Sequence, residues 1–177
     1  MIPNNLTVKS QEALRIAQDA AVEYRHAVLE PIHVLFGLAQ QEEGVVSTLL
    51  KKLGLNVTGI LQDIRTNFER MPHQLGGNAA QLGLSNELAR VLQASEKVAR
   101  SFKDEYISTE HLLLALLEAP SLGQELARIG ITQEAVLKAL KEVRGNTRVE
   151  SPEPEQGYQS LEKYARNLTQ LAREEKL

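Results

Sequence analysis

The sequence of 177 residues lacks cysteine and tryptophan and contains only three phenylalanines and four tyrosines. Without cysteine, the chain has no disulfide, no thiol chemistry and no cysteine-ligated metal site. Because hydrophobic residues still make up 42% of the chain, its core must consist of Leu, Val, Ile and Ala. That composition suits packed helices better than a β-sandwich. The length favours one core with a tail over two very small domains.

Charge and hydropathy exclude several classes of partner. The net charge is −3 with mixed signs, and no basic stripe indicates nucleic-acid binding. No apolar run approaches the ~20 residues of a membrane span. The N-terminal Met-Ile-Pro-Asn-Asn has neither a signal-peptide nor a transit-peptide pattern. We therefore expect a soluble, cytoplasmic protein that binds neither nucleic acid nor membrane.

Motifs for catalysis are also missing. The sequence contains no phosphate loop, no Gly-x-Gly-x-x-Gly fingerprint, no Gly-x-Ser-x-Gly elbow and no His-Glu-x-x-His pair. We expect this chain to need no cofactor and not to hydrolyse ATP. His33 and His111 raise the possibility of a metal site, since repeat symmetry could bring them together. However, no carboxylate at ligand spacing occurs in both repeats. We favour structural, partly buried histidines over metal ligands.

The most apolar stretch runs from Tyr106 to Leu117. It includes six consecutive apolar residues that cover every face of a helix, so the helix must be buried. A similar stretch, Val28 to Ala39, lies 78 residues earlier, and its His33 falls where His111 falls. This correspondence indicates an internal repeat.

The repeat extends well beyond this stretch. Leu6 aligns with Leu84 at an offset of 78, and after a two-residue deletion Gly54 aligns with Gly130. Helical periodicity predicts four helices in each repeat, over about 6–70 and 84–144. We predict an all-α domain over 1–145 in which the two units pack as a pseudo-twofold pair.

Caps and breakers delimit the predicted elements. Thr7, Glu30 and Asn56 are predicted N-caps, and Pro31 suits the first position of a helix. Pro and Gly residues between Met71 and Gly83 predict a loop. Residues 146–157 carry prolines and glutamates with almost nothing to bury, which predicts an extended linker. An amphipathic helix is predicted over 158–177.

Three sequence motifs on the double repeat resemble those of a known protein family. Ser-Thr-Glu-His-Leu-Leu-Leu-Ala-Leu-Leu, Glu-Pro-Ile-His-Val-Leu and Leu-Leu-Lys-Lys-Leu-Gly, on a double repeat, resemble the N-terminal domain of Clp/heat-shock hexameric AAA+ unfoldases. The segment 158–177 is similar to the one that leads into the first ATPase module of the ClpB-type disaggregase branch. The chain therefore looks like the N-terminal domain of a longer protein.

The resemblance implies a substrate-recognition domain tethered to a ring. In this branch the full-length protein is a homohexamer that uses ATP and Mg to thread polypeptides through its pore, beside a DnaK-type chaperone system. The isolated domain, expected to be a monomer, would weakly bind exposed hydrophobic segments of unfolded or aggregated proteins. A shallow apolar patch can engage many unfolded chains without reading a sequence.

The resemblance also implies the binding positions. They comprise the threonine that opens the first helix, an aspartate before the second repeat's central helix, a glutamate in that helix's first turn, and an apolar groove. By their place in this sequence they are Thr7, Asp104, Glu110, Ala94, Val98 and His111.

Each polar position also has a purely structural interpretation. Thr7 is first of all a cap, Asp104 a turn residue, and Glu110 a first-turn carboxylate that the helix dipole favours. Two other functions remain open. The chain could be the adaptor-docking N-domain of a protease-associated ClpC/ClpA-type unfoldase, or, less in keeping with the residues, a small helical enzyme. The ClpC-type branch holds phosphorylated arginine with a carboxylate in both repeats, and Ile32 in place of the first carboxylate argues against that ligand.

Overall fold

The computed structural model describes residues 2–75 and 82–154. The predicted helix over 158–177 and the middle of the predicted 71–83 loop lie outside these ranges. No helix within them combines the length and apolarity of a membrane span. The elements, in chain order, are α1 (Val8–Glu23), β1 (Val28–Leu29), α2 (Pro31–Gln40), α3 (Val45–Lys52), α4 (Val57–Arg70), β2 (Gly83–Leu84), α5 (Asn86–Ser101), α6 (Thr109–Leu116), α7 (Gly123–Arg128) and α8 (Gln133–Arg144).

The helix boundaries follow the predicted caps. The side chain of Thr7 accepts a hydrogen bond from the Ser10 N–H at 3.2 Å, and Asn56 caps α4 in the same way. Pro31 is the first residue of α2. Gly54 follows α3 with a φ of +79°, a left-handed conformation that suits a residue without Cβ.

The predicted tandem repeat is confirmed: α1 to α4 form one unit and α5 to α8 the other. Every residue of α6 is buried, and so are eight of the ten residues of α2. The two helices pack against each other at the centre of the molecule. Because neither has a polar face, each covers the apolar surface that the other's own unit leaves open.

Two short pairings between the repeats were not predicted. Strands β1 and β2 are parallel, with Leu29 opposite Leu84, and an isolated parallel bridge joins Leu6 to Ile107. Leu6 and Leu84 are equivalent in the repeat, and so are Leu29 and Ile107. Each unit's entry segment therefore pairs with the segment before the other unit's buried helix. Strands of two residues are too short to show alternation in the sequence.

The chain after α8 packs back onto the domain. Val149, which the sequence analysis did not predict to be buried, is fully buried. The Glu105 N–H donates to the Val149 carbonyl at 2.9 Å, and the Val8 N–H donates to the Pro152 carbonyl at 2.8 Å. The second bond satisfies one of the N–H groups that the start of α1 leaves without an intrahelical partner. We refer to residues 147–152 as the strap.

The crossing of α1 and α2 leaves no room for a side chain at Gly37. A Cβ there would lie 2.1 Å from the Ala13 carbonyl oxygen. We expect Gly37→Ala to lower the free energy of unfolding by about 3 kcal/mol, because the helices would have to separate. Urea denaturation followed by circular dichroism measures this loss.

Gly59→Ala is the matched control. A Cβ at Gly59 would meet nothing closer than the Asn56 side chain at 3.4 Å, so this variant should be about 0.5 kcal/mol more stable. Equal urea midpoints for Gly37→Ala and the wild type would contradict the close crossing.

Candidate functional site

A buried charged cluster occupies the second repeat at the N-terminal end of α6. Asp104 accepts hydrogen bonds from His111 Nε2 at 2.8 Å, from Arg144 Nη2 at 2.5 Å and from the Val149 N–H at 3.0 Å. Burial alone would raise the pKa of Asp104. The bonds from His111, Arg144 and Val149 outweigh burial and lower the pKa from 3.8 to about 2. Asp104 is therefore a carboxylate held by three donors.

Glu110 brings a second carboxylate to the same guanidinium. Its Oε2 lies 3.5 Å from Arg144 Nη1, and its side chain is 0% exposed. Within the described ranges neither of its carboxylate oxygens accepts a hydrogen bond. A buried carboxylate without hydrogen bonds is costly, so the charge of Arg144 is what makes Glu110 tolerable here.

The orientation of His111 follows from the helix start. The Ser108 N–H donates to His111 Nδ1 at 2.9 Å, so this nitrogen carries no proton. The neutral ring then has its proton on Nε2, where it is donated to Asp104. His111 thus acts both as part of a capping box for α6 and as a support for Asp104.

The first repeat has a neutral network at the equivalent place. The Glu30 N–H donates to His33 Nδ1 at 2.8 Å, and His33 Nε2 lies 2.7 Å from His26 Nδ1. His26 Nε2 in turn lies 3.0 Å from the Phe68 carbonyl. This chain of donors suits two uncharged imidazoles. Burial and the neighbouring His26 lower the pKa of His33 from 6.5 to about 4, and burial lowers that of His26.

The repeat alignment relates the two networks residue by residue. At the offset of 78, His26 corresponds to Asp104, and after the two-residue deletion Phe68 corresponds to Arg144. Neither His26 nor Arg144 was predicted as a site residue. The alignment held the signal, since it places an arginine and an aspartate where the first repeat has aromatic residues.

The six predicted positions do not form one exposed surface. Asp104, Glu110 and His111 come together around Arg144, and all three are buried. Thr7 is fully buried, where its N–H donates to the Ile107 carbonyl. The remaining two are half-buried on α5 and pack against the core: Ala94 and Val98.

The strap covers this region. Its buried Val149 donates to Asp104, its Pro152 carbonyl bonds the first turn of α1 beside Thr7, and Arg148 donates to the Phe102 carbonyl. The strap therefore lies against Asp104 and the start of α1, two of the places that were predicted to bind a polypeptide.

The two repeat-related histidines do not converge on a metal. His33 bonds within repeat one and His111 within repeat two. Among residues 2–75 and 82–154 no three His, Asp or Glu side chains are grouped to hold an ion.

The family comparison gives the class. Residues 5–128 match the family model described as the Clp repeat (R) N-terminal domain, in agreement with the two four-helix units of the structure. The chain belongs to that family.

Within this family, the chain is similar to ClpB chaperones. The chain is 35% identical to the chaperone protein ClpB of Clostridium perfringens over 182 aligned positions, which cover 100% of this chain and 21% of that protein. It is 38% identical to ClpB of Bdellovibrio bacteriovorus over 174 positions, covering 97% of this chain and 20% of the relative. The chain thus spans about a fifth of the length of the curated relatives it matches.

Solved structures share the fold. The Hsp104 N-terminal domain of Candida albicans superposes with a TM-score of 0.73 at 21% identity, covering 86% of this chain and 99% of that one. A complex of the ClpV N-domain with a VipB peptide superposes with a TM-score of 0.64 at 23% identity, covering 77% and 85%. At these identities the likeness shows the fold alone.

The neutral network of repeat one predicts loss of stability in mild acid. Unfolded histidine takes up a proton near pH 6.5, whereas folded His33 stays neutral down to a pKa of about 4. The free energy of unfolding should therefore fall as the pH drops from 6.5 towards 4, by up to about 1.4 kcal/mol per pH unit for each such histidine. Urea denaturation across this range measures the slope, and His33→Gln should flatten it.

His73→Gln is the control. His73 is exposed, and its ring nitrogens bond the Tyr24 and Glu69 carbonyls, which raise its pKa. A raised pKa contributes stability below pH 6.5, so removing His73 should not flatten the slope. A slope that His33→Gln leaves unchanged would contradict the assignment.

The charged network of repeat two predicts a strong dependence on Arg144. Arg144→Met leaves two buried carboxylates without their cation, and we expect it to lower the free energy of unfolding by about 3 kcal/mol. Replacing the cluster with its repeat-one equivalents should recover most of that loss: Asp104→His, Glu110→Ile and Arg144→Phe together.

Arg100→Met tests whether the loss is specific. Arg100 forms an exposed ion pair with Glu96 at 3.4 Å, and such pairs contribute little. Thermal or urea unfolding that treats Arg144→Met and Arg100→Met alike would show that the buried cluster contributes nothing.

Proposed function

We propose that this chain is the substrate-recognition domain of an ATP-dependent protein disaggregase. It binds exposed hydrophobic segments of unfolded or aggregated polypeptides weakly and passes them to the ring. The chain itself is not the enzyme in this proposal. The ATPase activity, with its ATP and Mg, belongs to the rest of a homohexameric, cytoplasmic protein that acts beside a DnaK-type chaperone system.

The strap is the observation that carries the proposal. A non-helical segment with one buried apolar side chain, Val149, lies across Asp104, Glu105 and the first turn of α1. Its backbone both donates to and accepts from the domain. An unfolded client offers the same groups: backbone N–H and C=O with intermittent apolar side chains. The site therefore suits such a ligand, which would displace the strap.

In this proposal Ala94 and Val98 extend the site onto accessible surface. Both are half-buried on α5, one helical turn apart, so they present one apolar stripe. In this proposal a client first contacts that stripe, and Asp104 accepts its backbone N–H once Val149 has left. Thr7, Glu110 and His111 hold the site in shape.

Adaptor docking is the second candidate. The complex of the ClpV N-domain with a VipB peptide favours it, since a domain of this fold can bind one defined peptide. An adaptor-docking domain would bind one folded partner saturably and would not bind unfolded chains.

The test is a titration of the ¹⁵N-labelled chain with reduced, carboxymethylated α-lactalbumin, which stays unfolded. We expect amide shifts at Ala94, Val98 and Val149. Val98→Asp should abolish binding, because it places a charge in the apolar stripe. Gln93→Asp, the same change in charge at an exposed position of α5, is the control and should bind normally.

Val149→Ala tests the competition directly. Loss of buried methyl groups weakens the strap, so the client should bind roughly threefold to tenfold tighter by fluorescence anisotropy. The exposed neighbour Glu150 provides the matched variant, Glu150→Ala, which should leave affinity unchanged. No shifts at Ala94 and Val98, or equal affinities for both strap variants, would contradict the proposed site.

A further inference from the structure

An apolar groove lies between α4 and α7, and no residue of the strap is among those that line it. Its volume is about 560 Å³, within the range of ligand-binding clefts, and residues of α2, α4 and the α6–α7 region line it. Ile32, Leu35 and Ile64 contribute to the apolar wall, together with Leu126 of α7. Ile129, just after α7, is 46% exposed at the groove.

Comparison of the two repeats explains why this groove is open: the helix on one side of it, α7, has a counterpart, α3, that is packed. Helix α3 of repeat one packs against α6 and α8 of repeat two, and Lys52 of α3 pairs with Glu142 of α8 at 3.8 Å. Its counterpart in repeat two is α7, which is two residues shorter. Between α7 and α4 the groove remains. Ile129, exposed here, is the counterpart of Leu53, which is partly buried.

The charged residues that line the groove are all acidic. Three carboxylates, Glu30, Asp63 and Glu125, are among its lining residues, and none of the lining residues is Lys or Arg. Asp63 and Glu125 are exposed, and Glu125 also pairs with Arg128 at 2.9 Å. An apolar wall with carboxylates at its edge complements a peptide that carries both apolar and basic side chains.

We propose that this groove is a second binding site, and that its ligand is an unfolded segment in which leucine-like side chains alternate with lysine or arginine. The apolar residues fill the space beside Ile32, Leu126 and Ile129, while the basic residues reach Asp63 and Glu125. This inference rests on the proposed function, because it takes unfolded polypeptide to be what the chain binds.

The probe is a short synthetic peptide of alternating leucine and lysine, with a matched peptide that has glutamine in place of lysine. Added to the ¹⁵N-labelled chain, the lysine peptide should shift the amides of Asp63 and Ile129. The double variant Asp63→Asn, Glu125→Gln should weaken the lysine peptide about fivefold, as expected for two exposed ion pairs, and leave the glutamine peptide unchanged. Ile129→Ser should weaken both.

The control has the same change in net charge elsewhere. Asp19→Asn with Glu134→Gln neutralises exposed carboxylates on α1 and α8 and should not change either affinity. If the control weakens the lysine peptide as much as the groove variant does, general attraction to an acidic domain explains binding and the groove site is wrong.

The same titration separates the two proposals. Shifts at Ala94 and Val98 without shifts at Asp63 and Ile129 would overturn the groove site and leave the proposed function standing. No shifts with either peptide and none with unfolded lactalbumin would overturn both. Self-association in sedimentation that Ile129→Ser abolishes would make a second copy of the chain the occupant, and would overturn the peptide assignment.

Discussion

The mutual burial of α2 and α6 is the constraint on which the rest of the domain depends. Neither helix has a polar face, so neither unit can cover its own central helix, and the two units must combine into one body. The packing also determines where chemistry can occur. His33 and His111 both sit three residues into these helices, so each polar centre lies at the start of a helix that cannot move without exposing the core.

The two polar centres bury polar side chains in different ways, one without charges and one with them. In repeat one, His26 and His33 remain uncharged, and their hydrogen bonds lead to the Phe68 carbonyl. Burying these neutral rings therefore requires no opposite charge. In repeat two, Asp104 and Arg144 are charged and buried, and removing Arg144 leaves the carboxylates of Asp104 and Glu110 without their cation. The charged centre also binds the strap, because the Val149 N–H donates a hydrogen bond to Asp104. The charged centre of repeat two, and not the neutral centre of repeat one, therefore lies on the side of the domain that the strap covers.

The sequence predicted what is periodic and local. Caps such as Thr7, the four-helix units and the equivalence of His33 and His111 follow from spacing. Asp104 and Arg144 are 40 residues apart, so no local pattern predicts their contact. Val149 comes just before a run of glutamates and prolines, where one apolar residue shows no periodicity. The roles of Thr7, Asp104, Glu110, Ala94, Val98 and His111 in binding stay predictions.

Under these proposals the two surfaces differ in access, and the difference determines how a client is bound. The strap site is available only in the fraction of molecules whose strap has left, so its apparent affinity is the intrinsic affinity reduced by that fraction. The α4–α7 groove has no such cover in the part of the chain that the structure describes. A client held in the groove raises the local concentration of its remaining residues near the strap site, and so favours displacement of the strap. Weak binding at each surface then suffices for retention of a long unfolded chain, while a short peptide dissociates.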